Sequence, residues 1–117
     1  MVYLFFDGDN VGNTIERHLT KGEISKAQQI SLGIKQALDE IEKLINQLGC
    51  LKILLGGDDI LVGVKNKSDE TELIDFVNRV FLDKTGLTIS CGAGKTIQES
   101  IYNLHLAKLF GKNQTMR

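Results

Sequence analysis

The order in which short apolar runs and helical stripes follow one another along this chain leaves few folds open. "VYLFF" (2 to 6) is short and apolar throughout, as a central strand covered on both faces requires. A short helix from Val11 to about Leu19 follows, closed by the turn "TKGE". Between Ser25 and Leu48 apolar residues fall at positions 27, 30, 34, 37, 38, 41, 44, 45 and 48. That spacing predicts one long helix with Gly49 as its stop. Gly33 inside it costs about 1 kcal/mol against alanine, so it marks a local bend or a close packing contact. "CLKILL" and "ILVGV" read as the two strands of a hairpin. Asp69 and Glu72 stand at capping-box spacing before a third helix carrying Leu73, Ile74, Val77, Val80 and Phe81 on one face. "LTISCGAG" alternates as a strand, with Leu87, Ile89 and Cys91 on one side. Thr96 and Glu99 form another capping box, opening a last helix that carries Ile97, Ile101, Leu104 and Phe110.

The order is β-α-α-β-β-α-β-α, a hairpin inside two βα crossovers. It predicts a single α+β domain over residues 1–117, a ferredoxin-like split βαβ fold with a mainly antiparallel sheet and helices on one face. In that arrangement strands one and three are antiparallel central neighbours. The residue after "VYLFF" then lies beside the residue before "ILVGV". Those residues are Asp7 and Asp59, with Asp9 and Asp58 close by.

The hairpin turn makes this placement chemically pointed. "LLGGDDILV" (54 to 62) carries two consecutive acids where a turn rarely needs both. Four carboxylates from two loops, left unpaired, repel one another and raise each other's pKa values. A hard divalent cation resolves the conflict. Mg²⁺ takes oxygen ligands, one or two carboxylates among them, together with substrate phosphates. Two such ions, roughly 3.5–4 Å apart, can activate a ribose hydroxyl and stabilise a leaving pyrophosphate, and Mn²⁺ can replace them. Gly8, lacking a side chain, lets its carbonyl reach a metal and lets a triphosphate approach closely.

Composition removes other classes. The chain has 117 residues, 42% apolar and 25% charged, with 14 basic against 15 acidic side chains. That balance gives no global field, so no stable nucleic-acid partner is expected and any phosphate binding is local. No apolar run approaches the roughly 18 residues that span a bilayer, and "MVYLFF" is too short for a signal segment. Cys50 and Cys91, without CxxC spacing, suit reduced thiols in a cytoplasmic protein.

"FFDGDNVG" followed by "GGDDILV" resembles the palm of the CRISPR polymerase group, which is related to the GGDEF diguanylate cyclases. "AKLFGKN" (107 to 113) resembles the AKxxGxN ending of GGDEF domains. A bare palm with these three motifs in order looks most like the minimal CRISPR polymerase family. The resemblance implies a nucleotidyltransferase that makes a cyclic di- or oligonucleotide messenger for an effector protein in anti-phage defence. It implies that Asp7 and Asp58 bridge two metals, assisted by the Gly8 carbonyl, and that Asp59 completes the acidic site. Lys108 and Lys112 would then meet the β- and γ-phosphates. One turn apart, two lysines on a helix can point the same way in any case. Asn10 would contact ribose or base, or else cap the short helix. The side chains with which diguanylate cyclases read guanine are replaced by Gly12, Ile15 and Glu16, so ATP is the expected NTP. The residues ahead of the GGDD motif, "CLKILL", hold no inhibitory RxxD motif. Closing a ring requires a second nucleotide's hydroxyl to be presented, and a symmetric homodimer does this most simply.

Other readings compete. "CGAGKT" (91 to 96) suggests a P-loop, but Ile89 stands where the first glycine is needed. "VYLFFDGDNV" also fits the haloacid dehalogenase pattern, with Asp7 as a phosphoryl-accepting nucleophile. That fold's later GDD, however, is followed by a loop and helix where an apolar strand begins at once here, and no lysine-bearing motif precedes it at suitable spacing. A nucleotide sensor without turnover is the third reading. His18 and His105 have no assignable role, and His105 is expected beside the apolar face of the last helix.

Overall fold

The computed structural model describes residues 1–117. Its elements are β1 (Val2–Gly8), α1 (Val11–Thr20), α2 (Ile24–Leu48), β2 (Leu51–Gly56), β3 (Asp59–Val64), α3 (Lys67–Thr85), β4 (Ile89–Gly94), α4 (Ile97–Leu109) and β5 (Thr115–Met116). The first eight follow the expected order. The sheet runs β2-β3-β1-β4-β5. Strand β1 is antiparallel to both β3 and β4, and β2 is antiparallel to β3. The two-residue β5 adds a parallel edge to β4 that no sequence pattern announced.

Alternation along the strands divides the sheet into two unlike faces. Leu4 and Phe6 of β1 join Ile60, Val62 and Val64 of β3 and Ile89, Cys91 and Ala93 of β4 in one apolar cluster. The predicted stripes of α2 and α3 complete it, Ile34, Ile41, Ile45, Leu73, Val77 and Phe81 among them. Burying each such side chain contributes about 1.5–3 kcal/mol, so Phe6→Ala at the centre should cost about 3–5 kcal/mol. Gly33 proves to be a packing contact. A Cβ there would stand 2.1 Å from the Lys84 carbonyl oxygen where α2 crosses α3.

The other face holds Gly92 and Gly94, and α4 lies against it. A Cβ on Gly92 would fall 2.1 Å from the Ser100 carbonyl oxygen and 2.2 Å from the Leu104 nitrogen. The expectation of helices on one face therefore describes α2 and α3, and α4 takes the reverse side. Its contact surface differs from the apolar stripe expected for it. Ser100, Asn103, Leu104 and Ala107 are buried, whereas Phe110 is 65% exposed. Backbone rests on backbone here, so small and polar residues make the contact. The Asn103 amide donates to the Ala93 carbonyl at 2.7 Å, satisfying both groups.

Helix ends follow local chemistry. Gly49 and Gly86 take the left-handed conformation that terminates α2 and α3. The Thr96 hydroxyl accepts from the Glu99 nitrogen at 3.1 Å, as its box predicts. At α3 the cap is Asn66 instead, whose side chain accepts from the Asp69 nitrogen at 2.8 Å. Asp69 is thus three residues inside the cap, where its charge favours the helix N-terminus.

Candidate active site

Strand register brings the acids together. Asp7 and Asp59 are partners across β1 and β3, as the strand order predicts. Asp58 sits in the tight turn before β3, where Gly57 takes a φ of 57°. Its carbonyl accepts from the Gly8 nitrogen at 3.2 Å, which fastens the turn to the end of β1. Carboxylate oxygens of Asp7, Asp58 and Asp59 all lie within 4.8 Å of one another. Gly8 is required by space as well as by its carbonyl. A Cβ there would meet Val11 Cγ2 at 2.6 Å and Asp58 Oδ2 at 2.9 Å.

The fourth acid behaves differently. Asp9 was expected to join the cluster, but it is 3% exposed and turns toward β4 and the C-terminal segment. Its carboxylate accepts from the hydroxyls of Thr88 and Ser90, each at 2.7 Å, and from the Asn113 backbone nitrogen at 2.9 Å. Lys108 Nζ stands 2.8 Å from its Oδ1. Burial pushes the Asp9 carboxyl up, but hydrogen bonds from Lys108, Ser90, Thr88 and Asn113 outweigh it and leave the group below the usual range.

Electrostatics run the other way in the triad. A hydrogen bond shared with Asp7 comes first at Asp59, followed by burial and the charges of Asp7 and Asp58, and together they push it up to about 7. Burial and then the charge of Asp7 raise Asp58 as well. Neighbouring carboxylates that resist ionising together form a site with an unmet demand for positive charge. Lys108 meets part of it. Its ammonium donates to the carbonyls of Asp7 and Gly8 at 3.0 and 2.8 Å and lies 3.1 Å from Asp7 Oδ2. The three carboxylates are hard oxygen donors within 4.8 Å of one another, which fits a hard divalent cation, and the Gly8 carbonyl is joined to Asp7 through Lys108.

The two lysines are not equivalent as expected. Lys108 is in the last turn of α4, but Lys112 lies beyond the helix end with a φ of 62°. It donates to the Asn10 side-chain oxygen. Asn10 starts α1 in the left-handed region, with no side-chain cap bond, so the capping alternative does not hold. Both lysines and Asn10 still border the acidic end of the sheet. Gly92 and Gly94 of "CGAGKT" serve helix packing, and Lys95 is exposed. His18 pairs with Glu23 at 3.1 Å, and His105 is exposed instead of lying against the apolar face. Both cysteines are free thiols, and burial pushes the Cys91 thiol far up. No helix is long and apolar enough to cross a membrane.

Sequence reasoning missed the partners of Asp9. One signal was present. Ser90 is a polar side chain in a strand buried along its whole length, and such a group needs a partner.

The dehalogenase alternative requires a loop and helix after its GDD, whereas Asp59 opens β3 directly. The fold has solved counterparts. The chain is similar to a Csm1–Csm4 cassette in complex with cA4, with TM-score 0.74 and 20% identity over 97% of this chain and 20% of that one. It is also similar to the diguanylate cyclase SiaD of Pseudomonas aeruginosa, solved with its activator SiaC. There the TM-score is 0.65 and the identity 16%, over 98% of this chain and 48% of the other. The chain thus spans about a fifth and about half of these neighbours, and the likeness to each is one of fold. No curated protein matches its sequence. The family model of the minimal CRISPR polymerase domain matches residues 3–117, and the chain belongs to that family.

Proposed function

We propose that the protein is a Mg²⁺-dependent nucleotidyltransferase that condenses NTPs, ATP foremost, into a cyclic di- or oligonucleotide. The observation that carries this reading is the convergence of Asp7, Asp58 and Asp59 within 4.8 Å, with the Lys108 ammonium against them. Asp7 and Asp58 hold the metal, Asp59 completes its oxygen donors, and the Gly8 carbonyl becomes available when Lys108 turns to phosphate. Divalent ions bound there supply positive charge to the attacking hydroxyl and the leaving pyrophosphate. Lys108 and Lys112 hold the triphosphate tail as point charges, and Asn10, now tied to Lys112, lies beside the ribose. Mn²⁺, with the same hard-oxygen preference, substitutes for Mg²⁺.

One palm orients one donor triphosphate. A second copy facing it presents the acceptor hydroxyl, so the working form is a homodimer. An effector protein reads the product, in anti-phage defence. The deciding experiment is incubation of the purified protein with each NTP and Mg²⁺, with products identified by mass spectrometry. Cyclic product that disappears with chelator supports the reading. NTPs recovered unchanged at all protein concentrations overturn it.

A further inference from the structure

We infer that Asp9 is a positioning residue that fixes the Lys108 ammonium at the rim of the acidic site, against Asp7 and the Gly8 carbonyl. The inference rests on the nucleotidyltransferase reading for its purpose, but its geometry stands independently. Asp9 is nearly inaccessible, and both carboxylate oxygens are fully engaged. Oδ1 accepts from the Ser90 hydroxyl at 2.7 Å and Lys108 Nζ at 2.8 Å. Oδ2 accepts from the Thr88 hydroxyl at 2.7 Å and the Asn113 nitrogen at 2.9 Å. Asp9 is also fixed by its own backbone, since its nitrogen donates to the Thr88 carbonyl at 2.9 Å. It is therefore a rigid anion committed to protein partners, not a fourth ligand.

Lys108 explains why such an anion is needed. Four oxygens stand within 3.1 Å of Lys108 Nζ: the carbonyls of Asp7 and Gly8, Asp9 Oδ1 and Asp7 Oδ2. The ammonium already touches the Asp7 carboxylate, and without Asp9 Oδ1 this flexible point charge would move deeper toward Asp58 and Asp59 and compete with a divalent cation. Asn113 links the same carboxylate to the chain following α4, so one buried group sets both the lysine and the segment carrying Lys112.

Asparagine at position 9 separates this role from packing. The Thr88 and Ser90 hydroxyls can accept as well as donate, so either can turn to face an amide. Lys108 and the Asn113 nitrogen can only donate, so they compete for the single remaining oxygen at position 9, the Asn113 nitrogen keeping the Ser90 hydroxyl at 2.9 Å and Lys108 the carbonyls of Asp7 and Gly8. The first readout uses the metal-free protein. The Lys108 ammonium should give a slowly exchanging proton signal in the wild type and in Asp7→Asn, and a markedly faster-exchanging one in Asp9→Asn. Asp9→Ser, smaller and neutral, serves as a second variant for the same measurement. A Lys108 signal as protected as wild type in either folded variant overturns the inference.

The second readout is Mn²⁺ affinity, followed by the resonance of the free ion. Asp9→Asn should weaken binding by about tenfold, because the released lysine enters the acidic cluster. Adding Lys108→Met should restore binding to the level of Lys108→Met alone. A double variant as weak as Asp9→Asn makes Asp9 a structural residue only. A wild type that binds no Mn²⁺ sinks the metal site under "Proposed function", and the proton signal then decides the positioning role by itself.

Discussion

Asp7 and Asp59 are register partners across the β1–β3 ladder, so two carboxylates stand directly opposite at one end of the sheet. Like charges in that relation destabilise a sheet, and Asp58 adds a third acid at the adjoining turn. Removing one acid should therefore harm function and help the fold. Asp7→Ala and Asp58→Ala should each abolish cyclic product, with metal-free melting temperatures equal to or above wild type. Turnover retained in either variant sinks the two-metal assignment. A phosphorylated Asp7 would revive the dehalogenase chemistry.

The raised carboxyl of Asp59 gives a pH dependence with a definite sign. Its ordinary value is 3.8 and its folded value about 7, so the folded state holds that proton more tightly. The stability it contributes is complete below pH 3.8 and is lost as pH rises through about 7. Metal-free wild type should lose more melting temperature between pH 5 and pH 8 than Asp59→Asn, which carries no such proton. Mn²⁺ binding to wild type should weaken as pH drops below 7, because protons compete for the oxygens. Equal slopes for the two proteins would remove the shared-proton account of Asp7 and Asp59.

Base choice is a separate matter. With Gly12, Ile15 and Glu16 at the positions expected to read guanine, ATP should outcompete GTP in product formation. Competition assays with mixed NTPs measure this directly. A preference for GTP would mean that guanine is read by other residues.

Lys108 tests phosphate capture, and the structure changes what its removal should do to the fold. An exposed helix surface would tolerate alanine, but this side chain is 22% exposed and touches Asp7, Gly8 and Asp9. Lys108→Ala should cost about 1.5–3 kcal/mol in the absence of ligand, the range for losing a charged hydrogen bond. It should also weaken ATP binding by about tenfold to a hundredfold, since each 1.4 kcal/mol is tenfold. The ATP-induced rise in melting temperature should shrink relative to Lys43→Ala, on the exposed side of α2. Identical ATP-induced shifts in the two variants would remove Lys108 from the triphosphate site.

Gly33→Ala sets propensity against packing. Alanine in a helix interior gains about 1 kcal/mol over glycine. The added Cβ would stand 2.1 Å from a backbone oxygen of Lys84, which cannot rotate aside. Net destabilisation is expected by denaturant unfolding. A more stable variant would show that α2 and α3 can separate at no cost.

What was legible in the sequence depended on whether a residue's role was local or relational. The stripes of α2 and α3 are periodic, and every residue assigned to the α3 face is buried. The Asp7–Asp59 pairing followed from strand order alone, because antiparallel neighbours fix which ends meet. The face of α4 was misread because its contact is made on glycine, where Ser100, Asn103 and Ala107 replace large apolar groups. Strand β5 is two residues long and has no period to detect. The setting of Asp9 was invisible because its side-chain partners lie at separations of 79, 81 and 99 residues.

The bare surface of β4 under α4 has a consequence for the acidic end of the sheet. The nitrogen of Leu104 lies 2.2 Å from where a side chain at position 92 would begin, and Lys108 is one helical turn further on. Gly92 therefore works as a spacer of zero thickness. A methyl group there would lift α4 from β4 and widen the gap that Lys108 spans to the Gly8 carbonyl, at present 2.8 Å. The reach of that ammonium is calibrated by a hydrogen atom on the strand beneath the helix.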